Sequence, residues 1–275
     1  MPPFTLECVD CPRTGSRRDI CFDIGMARGL IQWSLVTLII VTGATALSHA
    51  RAAGSANGAG GNQAVLQRFL ALDDPAPTEY RALRHLDASN DKFEKSAWMD
   101  VWTEAGRSGG FRYRIVAEGG SEYIRSRLFV ASLEAERNMW ASGAPDQATV
   151  TAANYEFEDR GERADGLASL TVKPRRKDLL LIEGSIFLRP HDGELMRMEG
   201  RLTKSPSFWT RHVEIVRWYG RFAGVRMPVA LESVAHLLVA GRSTFRMSYE
   251  YETVNGQRVG TPVPRTLVAS AAPNR

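Results

Sequence analysis

The chain has 275 residues, 24% charged and 44% hydrophobic, with 35 Lys and Arg against 31 Asp and Glu, for a formal net charge of +4. So mild a balance makes no case for nucleic-acid binding, and the length suits one domain with a sizeable core. The three cysteines, Cys8, Cys11 and Cys21, all precede Met26, so the rest of the chain has no disulfide, no thiol nucleophile and no cysteine-based metal site.

Residues 1–52 read as an export signal. Arg28 precedes an apolar run from Ile31 to Leu47 (IQWSLVTLIIVTGATAL), and the small residues Ala50 and Ala52 follow. A positive flank, an apolar stretch and an A-x-A-like site are the parts of a cleaved secretory signal, and the run is short for a membrane span of ~20 residues. Met26-Ala27-Arg28 is the expected start of a compact signal, and the chain is expected to be exported. Residues 53–62 (AAGSANGAGGN begins at Ala52) form a Gly/Ala/Ser linker. The folded domain is expected over 63–259 and a Pro/Ala/Ser-rich frayed tail over 260–275.

Within the domain, Gln63 to Leu72 predicts a short helix stopped by Pro75 and Pro77. Tyr80 to Leu86 reads as a second helical piece, because Leu83 and Leu86 are three apart. Trp98 to Ala105 alternates as a strand, as does the run from Phe111 to Glu118, and the Gly-containing turn between them predicts a hairpin. Ser121 is the expected N-cap of a helix from Glu122 to Trp140, with Ile124, Leu128, Ala131 and Ala135 on one face. Short strands follow at Asn154–Glu158 and Leu167–Val172. From Asp178 to Gly256 the chain alternates apolar and polar residues through successive runs, ending with Phe245, Met247, Tyr249 and Tyr251 against Thr244, Arg246, Ser248, Glu250 and Glu252. Period-two alternation with short turns predicts an antiparallel meander having one apolar and one wet face. Pro228 suits an edge or a strand start.

Motifs of catalysis are missing from this pattern. His85, His191, His212 and His236 show no H-x-x-x-H spacing, there is no G-x-S-x-G, and the glycines form no phosphate loop. No metal site or cofactor is expected. Two features suggest a role. Aromatic and Met side chains crowd the strand faces, and such sets line adaptable apolar pockets. Basic residues outnumber acidic ones from Lys173 to Arg221, which suits anionic head groups or an acidic partner. Phe208 and Trp209, in the loop Ser205 to Thr210, read as a bulge packed on the sheet or as an apolar lip at a cavity mouth.

The order of parts, with a Trp-bearing strand (AWMDVWTEA), a hairpin, a helix and a long meander ending in MSYEYETVNG, resembles the periplasmic outer-membrane lipoprotein carrier superfamily, which includes lipoprotein-sorting carriers and lipid-sensing envelope regulators. The resemblance runs from Gln63 to about Gly256. It implies an α+β, mainly antiparallel fold: a curved, unclosed β half-barrel with helices on the concave face and acyl chains held between them. The expected ligands are acyl chains or lipoproteins, taken without enzymatic chemistry. The residues expected to line the cavity are Trp98, Trp102, Met196, Met198, Ile215, Leu231, Phe245, Met247 and Tyr249. Arg197, Arg201 and Arg217 are expected to meet head groups or a partner in the inner or outer membrane. A competing reading is an envelope regulator or scaffold that binds a membrane protein; a third is a hydrolase using His212 or His236.

Overall fold

The computed structural model describes residues 60–72, 74–106, 109–142, 149–178 and 180–260. The expected export signal, residues 53–59 of the expected linker and residues 261–275 lie outside the described residues. In chain order the elements are α1 (Gly60–Ala71), β1 (Glu79–Asn90), β2 (Lys95–Gly106), β3 (Gly110–Gly120), α2 (Glu122–Ile124), a π-helical turn (Arg125–Val130), α3 (Ala131–Ser142), β4 (Tyr155–Ala164), β5 (Leu167–Pro174), β6 (Ile182–Leu188), β7 (Leu195–Leu202), β8 (Thr210–Phe222), β9 (Val225–Leu237), β10 (Gly241–Val254) and β11 (Gln257–Arg258).

The strands form one antiparallel sheet in the order β3-β2-β1-β10-β9-β8-β7-β6-β5-β4, with β11 against β10. Two meanders, β1 to β3 and β4 to β10, are joined side by side where β1 pairs with β10. β3 and β4 each have a single neighbour, so the sheet is unclosed. The helices cover its concave face: α1 lies over β4, β5 and β6, and α3 over β3. Val65, Leu66 and Phe69 of α1 share one apolar core with Phe129, with Leu133 of α3 and with the inner strand residues.

The strand pairings arrange the inner face in transverse rows. One row runs Leu170, Ile186, Met198, Arg217, Leu231, Met247, Leu86, Met99 from β5 to β2. Its side chains are long and buried, and they fill the core. The next row toward the β1–β2 turn runs Val172, Gly184, Gly200, Ile215, Ser233, Phe245, Ala88, Ala97 over the same strands. It is built mostly of small residues. At Gly184 a Cβ would lie 2.1 Å from the Glu199 carbonyl oxygen, so β6 and β7 approach more closely there than any side chain permits.

The expected helix at Tyr80 to Leu86 is instead the middle of β1, a correction with a specific cause. Tyr80, Ala82, Arg84, Leu86 and Ala88 are the inward set, and the inward arginine breaks the hydrophobic alternation. Arg84 is fully buried. Its guanidinium donates to both Glu136 carboxylate oxygens at 2.6 and 2.9 Å and to the Tyr80 hydroxyl at 2.8 Å. Tyr80 in turn donates to Glu136 at 3.0 Å. The cation also lies over the rings of Phe111 and Tyr249. Burial works against the charge on Arg84, but Glu136, Tyr80 and Tyr249 outweigh it and hold its pKa above its ordinary value. Burial, followed by the Glu136 charge, pushes the Tyr80 hydroxyl well up.

The helix after Ser121 also differs in detail. Ser121 stands at the N-cap without a side-chain capping bond. The π-helical turn inserts an extra residue per turn and so rotates α3 about the helix axis. As a result Phe129, Ser132, Leu133 and Glu136 are the buried positions, while the expected stripe of Ile124, Leu128, Ala131 and Ala135 lies at its flank. Pro228 is not on an edge strand. It sits past the last β9–β10 pair (Ser248↔Ala230) and beside a register shift on β8, where no ladder donor is required.

Removing one partner of a buried pair strands the other charge at a cost of about 3–5 kcal/mol, whereas an apolar replacement of both is close to neutral. Glu136→Gln should therefore lower the urea-unfolding free energy by an amount of that order, and the double variant Arg84→Met/Glu136→Leu should recover most of it. A second expectation concerns alkali. Burial pushes the Tyr155 hydroxyl up to about 12, above the ordinary value of about 10. Below pH ~10 both states hold this proton, and from there to about 12 only the folded state keeps it. Stability should thus fall across that window as pH rises, and Tyr155→Phe should flatten the fall in urea titrations.

Candidate functional site

The row of small residues leaves space between the sheet and the helix that follows β3. A cavity of about 520 Å3 opens there, within the roughly 300–1,000 Å3 of small-ligand pockets. Ala88, Val213, Ser233, Ala235 and Phe245 form its floor, and Ile124 and Leu128 its roof. The cross-strand register accounts for the floor, since Val213, Ala235, Ser243 and Asn90 lie in sequence across β8, β9, β10 and β1. None is larger than valine. The mouth is ringed by Phe93, Tyr123, Pro206, Leu237 and Ala240.

Among the described residues the charged members of the lining are Lys95 and Arg127, both cationic. Burial raises the Tyr123 hydroxyl above its ordinary value, with Arg127 opposing. Both cations are exposed, while the floor carries no charge and only the hydroxyls of Ser233 and Ser243 and the amide of Asn90 among apolar side chains, an arrangement suited to an amphiphile with an anionic head.

Asn90 ties the rim together. Its amide nitrogen donates to Ser243 Oγ at 2.6 Å and to the Ala240 carbonyl at 2.8 Å, while its oxygen accepts from the Phe93 backbone N–H at 2.9 Å. The β1–β2 turn is thereby fixed to the β9–β10 turn. Lys92 Nζ adds a bond to the Val239 carbonyl at 2.7 Å, and the Leu238 N–H donates to the Trp209 carbonyl at 2.9 Å.

The structure distributes the sequence candidates over three places. Phe245 lines the cavity. Ile215 shares its row, whereas Met198, Leu231, Met247 and Tyr249 are buried in the filled part of the core. Trp98 and Trp102 correct the expectation: they point to the outer face, where Trp98 stacks on His85 and Trp102 lies under Arg81 at 4.6 Å. Inward positions on β2 belong to Ala97, Met99, Val101 and Thr103. Met196 sits by the β6–β7 hairpin with its sulfur 3.1 Å from Arg189 Nη2, away from the cavity.

Among the arginines, Arg217 is likewise corrected. It is 4% exposed on the inner face, near enough to the hydroxyls of Tyr155 and Tyr249 to oppose the upward push of burial on both. Arg197 stacks over Phe187 at 4.1 Å and pairs with Asp165 and Glu199, and Arg201 pairs with Glu214. Two of the three arginines expected to meet head groups or a partner are thus paired on the outer face, and the third is buried.

Sequence spacing missed one cluster because it forms across strands. His212 and His236 are register partners on β8 and β9, with stacked rings 4.3 Å apart. Glu214 lies one pleat along, its Oε1 3.6 Å from His212 Nε2, and the three can present ligand atoms within 4.8 Å of one another. Two imidazoles and a carboxylate are competent donors for a divalent cation, although Arg201 shares the Glu214 carboxylate at 3.7 Å. The group lies on the outer face, apart from the cavity.

No protein-family model and no curated protein matches the chain. Among solved structures, a DUF1329 family protein from Desulfovibrio piger is similar with a TM-score of 0.35 and 9% identity, over 71% of this chain and 92% of that one. A LolA superfamily protein from Nitrosomonas europaea is similar with a TM-score of 0.34 and 11% identity, over 74% of this chain and 96% of that one. Both likenesses are distant, and the functional reading rests on the cavity itself.

Asn90→Ala removes the bonds that hold the two rim turns together. These bonds are half-buried or exposed, and each such bond contributes about 0.5–1.5 kcal/mol. Amide hydrogen exchange over residues 91–94 and 238–241 should accelerate in this variant, with protection of β8 and β9 unchanged.

Proposed function

We propose that this protein is an exported, non-enzymatic lipid-binding protein that takes an acyl chain, free or on a lipoprotein, into the cavity beneath α2 and the π-helical turn. The carrying observation is the composition of that cavity: a floor of mostly small, mostly apolar side chains, an apolar roof, and, among the described residues, charges of cationic sign alone in its lining. Each methylene moved from water into such a space contributes about 0.8 kcal/mol, offset by the ordering of the chain. Lys95 and Arg127 are placed to meet an anionic head near the opening. The resemblance of the sequence to periplasmic lipoprotein carriers agrees with this reading, as does the expected export signal. Action as a lipoprotein-sorting carrier is the finer form of the proposal.

The reading as a scaffold acting through Arg197, Arg201 and Arg217 has less support, because two of these are paired on the sheet and the third is buried. A hydrolase based on His212 or His236 has less again, since both sit on the opposite face from the cavity.

Native mass spectrometry with lipid extraction, on protein purified from the compartment to which it is exported, tests the proposal. A co-purifying acyl species near one-to-one is expected. Val213→Phe and Ala235→Phe add bulk to the cavity floor, and together they should cut occupancy at least about tenfold, the loss of two or so buried methylenes, in a protein that still folds. An unshifted mass for the unmodified protein after adding fatty acids and lipopeptides would overturn it.

A further inference from the structure

The rim of the cavity exposes a run of large apolar side chains that the fold itself does not use. Phe208 is 85% exposed and Val239 and Phe93 are 53% exposed, with Tyr123, Leu238 and Trp209 also substantially open. They come from four separate segments: the β1–β2 turn, the start of α2, the β7–β8 loop and the β9–β10 turn. The bonds from Lys92 to Val239 and from Leu238 to Trp209, with the Asn90 bridge, hold three of these in one patch. Tyr123 joins them across the mouth, where it and Phe93 line the opening. Scattered exposed hydrophobes are ordinary, but a contiguous set around a cavity mouth marks an interaction surface.

The charge of the same segments identifies what the surface fits. Residues 91–95, 122–127, 204–211 and 238–242 carry Lys92, Lys95, Arg125, Arg127, Lys204, Arg211 and Arg242 against Asp91, Glu94 and Glu122. Aromatic and aliphatic tips ringed by lysine and arginine are the composition of a face that enters the head-group layer of an anionic membrane. Phe208 and Trp209 pack edge to face at 5.5 Å, which presents the pair as one wedge.

We infer that the cavity mouth docks on an anionic phospholipid bilayer, with Phe208, Trp209 and Val239 entering the head-group boundary and Lys92 and Lys204 resting on lipid phosphates. This deepens the lipid-binding reading and rests on it for its purpose: docking in this orientation turns the cavity opening toward the acyl chains of the membrane.

The test is flotation of the purified protein with vesicles of phosphatidylcholine alone and of equal parts phosphatidylcholine and phosphatidylglycerol. Binding should favour the anionic vesicles and weaken as salt rises. Phe208→Ser with Val239→Ser should reduce binding at least about tenfold, and Lys204→Gln should reduce it about fivefold. The serine variant should melt like the unmodified protein and still take up a fluorescent fatty acid supplied from solution, because neither residue lines the cavity. Failure of the unmodified protein to float, or equal flotation of a folded serine variant, would overturn the inference. Flotation that depends on Phe208 and Val239, in a protein that takes up no fatty acid, would uphold docking and sink the cavity reading alone.

Discussion

The structure depends on one buried ion pair. An unclosed sheet with an apolar concave face must have that face covered, and the cover over β2 and β3 is the helix after β3, whose buried positions set Ser132 and Glu136 beside Phe129 and Leu133. Glu136 of α3 is completely buried, an arrangement that is tolerable only because Arg84 meets both of its oxygens and Tyr80 supplies a further donor. A carboxylate taken out of water without such partners would cost several kcal/mol. The pair therefore fixes where α3 sits along β1, in a way that interchangeable leucines would not. The position of α3 in turn sets the height of the π-helical turn and α2 above the sheet, which is the roof of the cavity.

At the other end of the sheet the cover is held differently. α1 packs Phe69 against Phe157 and beneath Arg226, and Gly193 of the β6–β7 turn approaches the helix so closely that a Cβ there would lie 2.6 Å from the Phe69 nitrogen. Gly193 has φ +75, a conformation glycine adopts without strain. Arg226, buried, is paired with Asp74 just after α1, and Asp74 also meets Arg221. The molecule is thus closed by direct contact at the β4–β6 end and left hollow near the β1–β2 turn. The difference follows from the size of side chains on adjacent rows of the same strands.

Much of this architecture is legible in the sequence, because a one-sided sheet writes its pattern as alternation. β2, β3 and the strands of the long meander follow it closely. Legibility fails where a polar residue faces inward or a large apolar one faces out. Arg84 turned the inward set of β1 into an apparent helical spacing of leucines. Trp98 and Trp102 have the most apolar character on β2, yet they face outward, where His85 and Arg81 cover them. Arg217 carried its own correction in the sequence: it falls in the same set as Val213, Ile215 and Tyr219, alternating with His212, Glu214, Val216 and Trp218, so its place on the inner face was set by position even though its charge suggested the outside. Side-chain character is a weaker guide to facing than strand period, since the period is a property of the backbone and holds for every residue on the strand.

The cavity was harder to see because it is made by absence. Sequence reading looks for large apolar residues, and these fill the core row of Met198, Leu231, Met247 and Leu86. The hollow lies where Ala88, Ser233, Ala235 and Ser243 meet across three strands, and no single strand shows this. It emerges only from the register, which sets Ser243 beside Ala235 and brings Ala88 and Ser233 to either side of Phe245. The same register brings His212 opposite His236 and the β1–β2 turn beside the β9–β10 turn. A floor of small residues also explains why the space persists. Closing it would require β1, β9 and β10 to move toward the helix, while the longer side chains of the neighbouring row already pack at contact distance and keep the layers apart. The hollow is therefore propped open by the filled row beside it, and α3, pinned through Arg84, cannot settle to close it without breaking the buried pair.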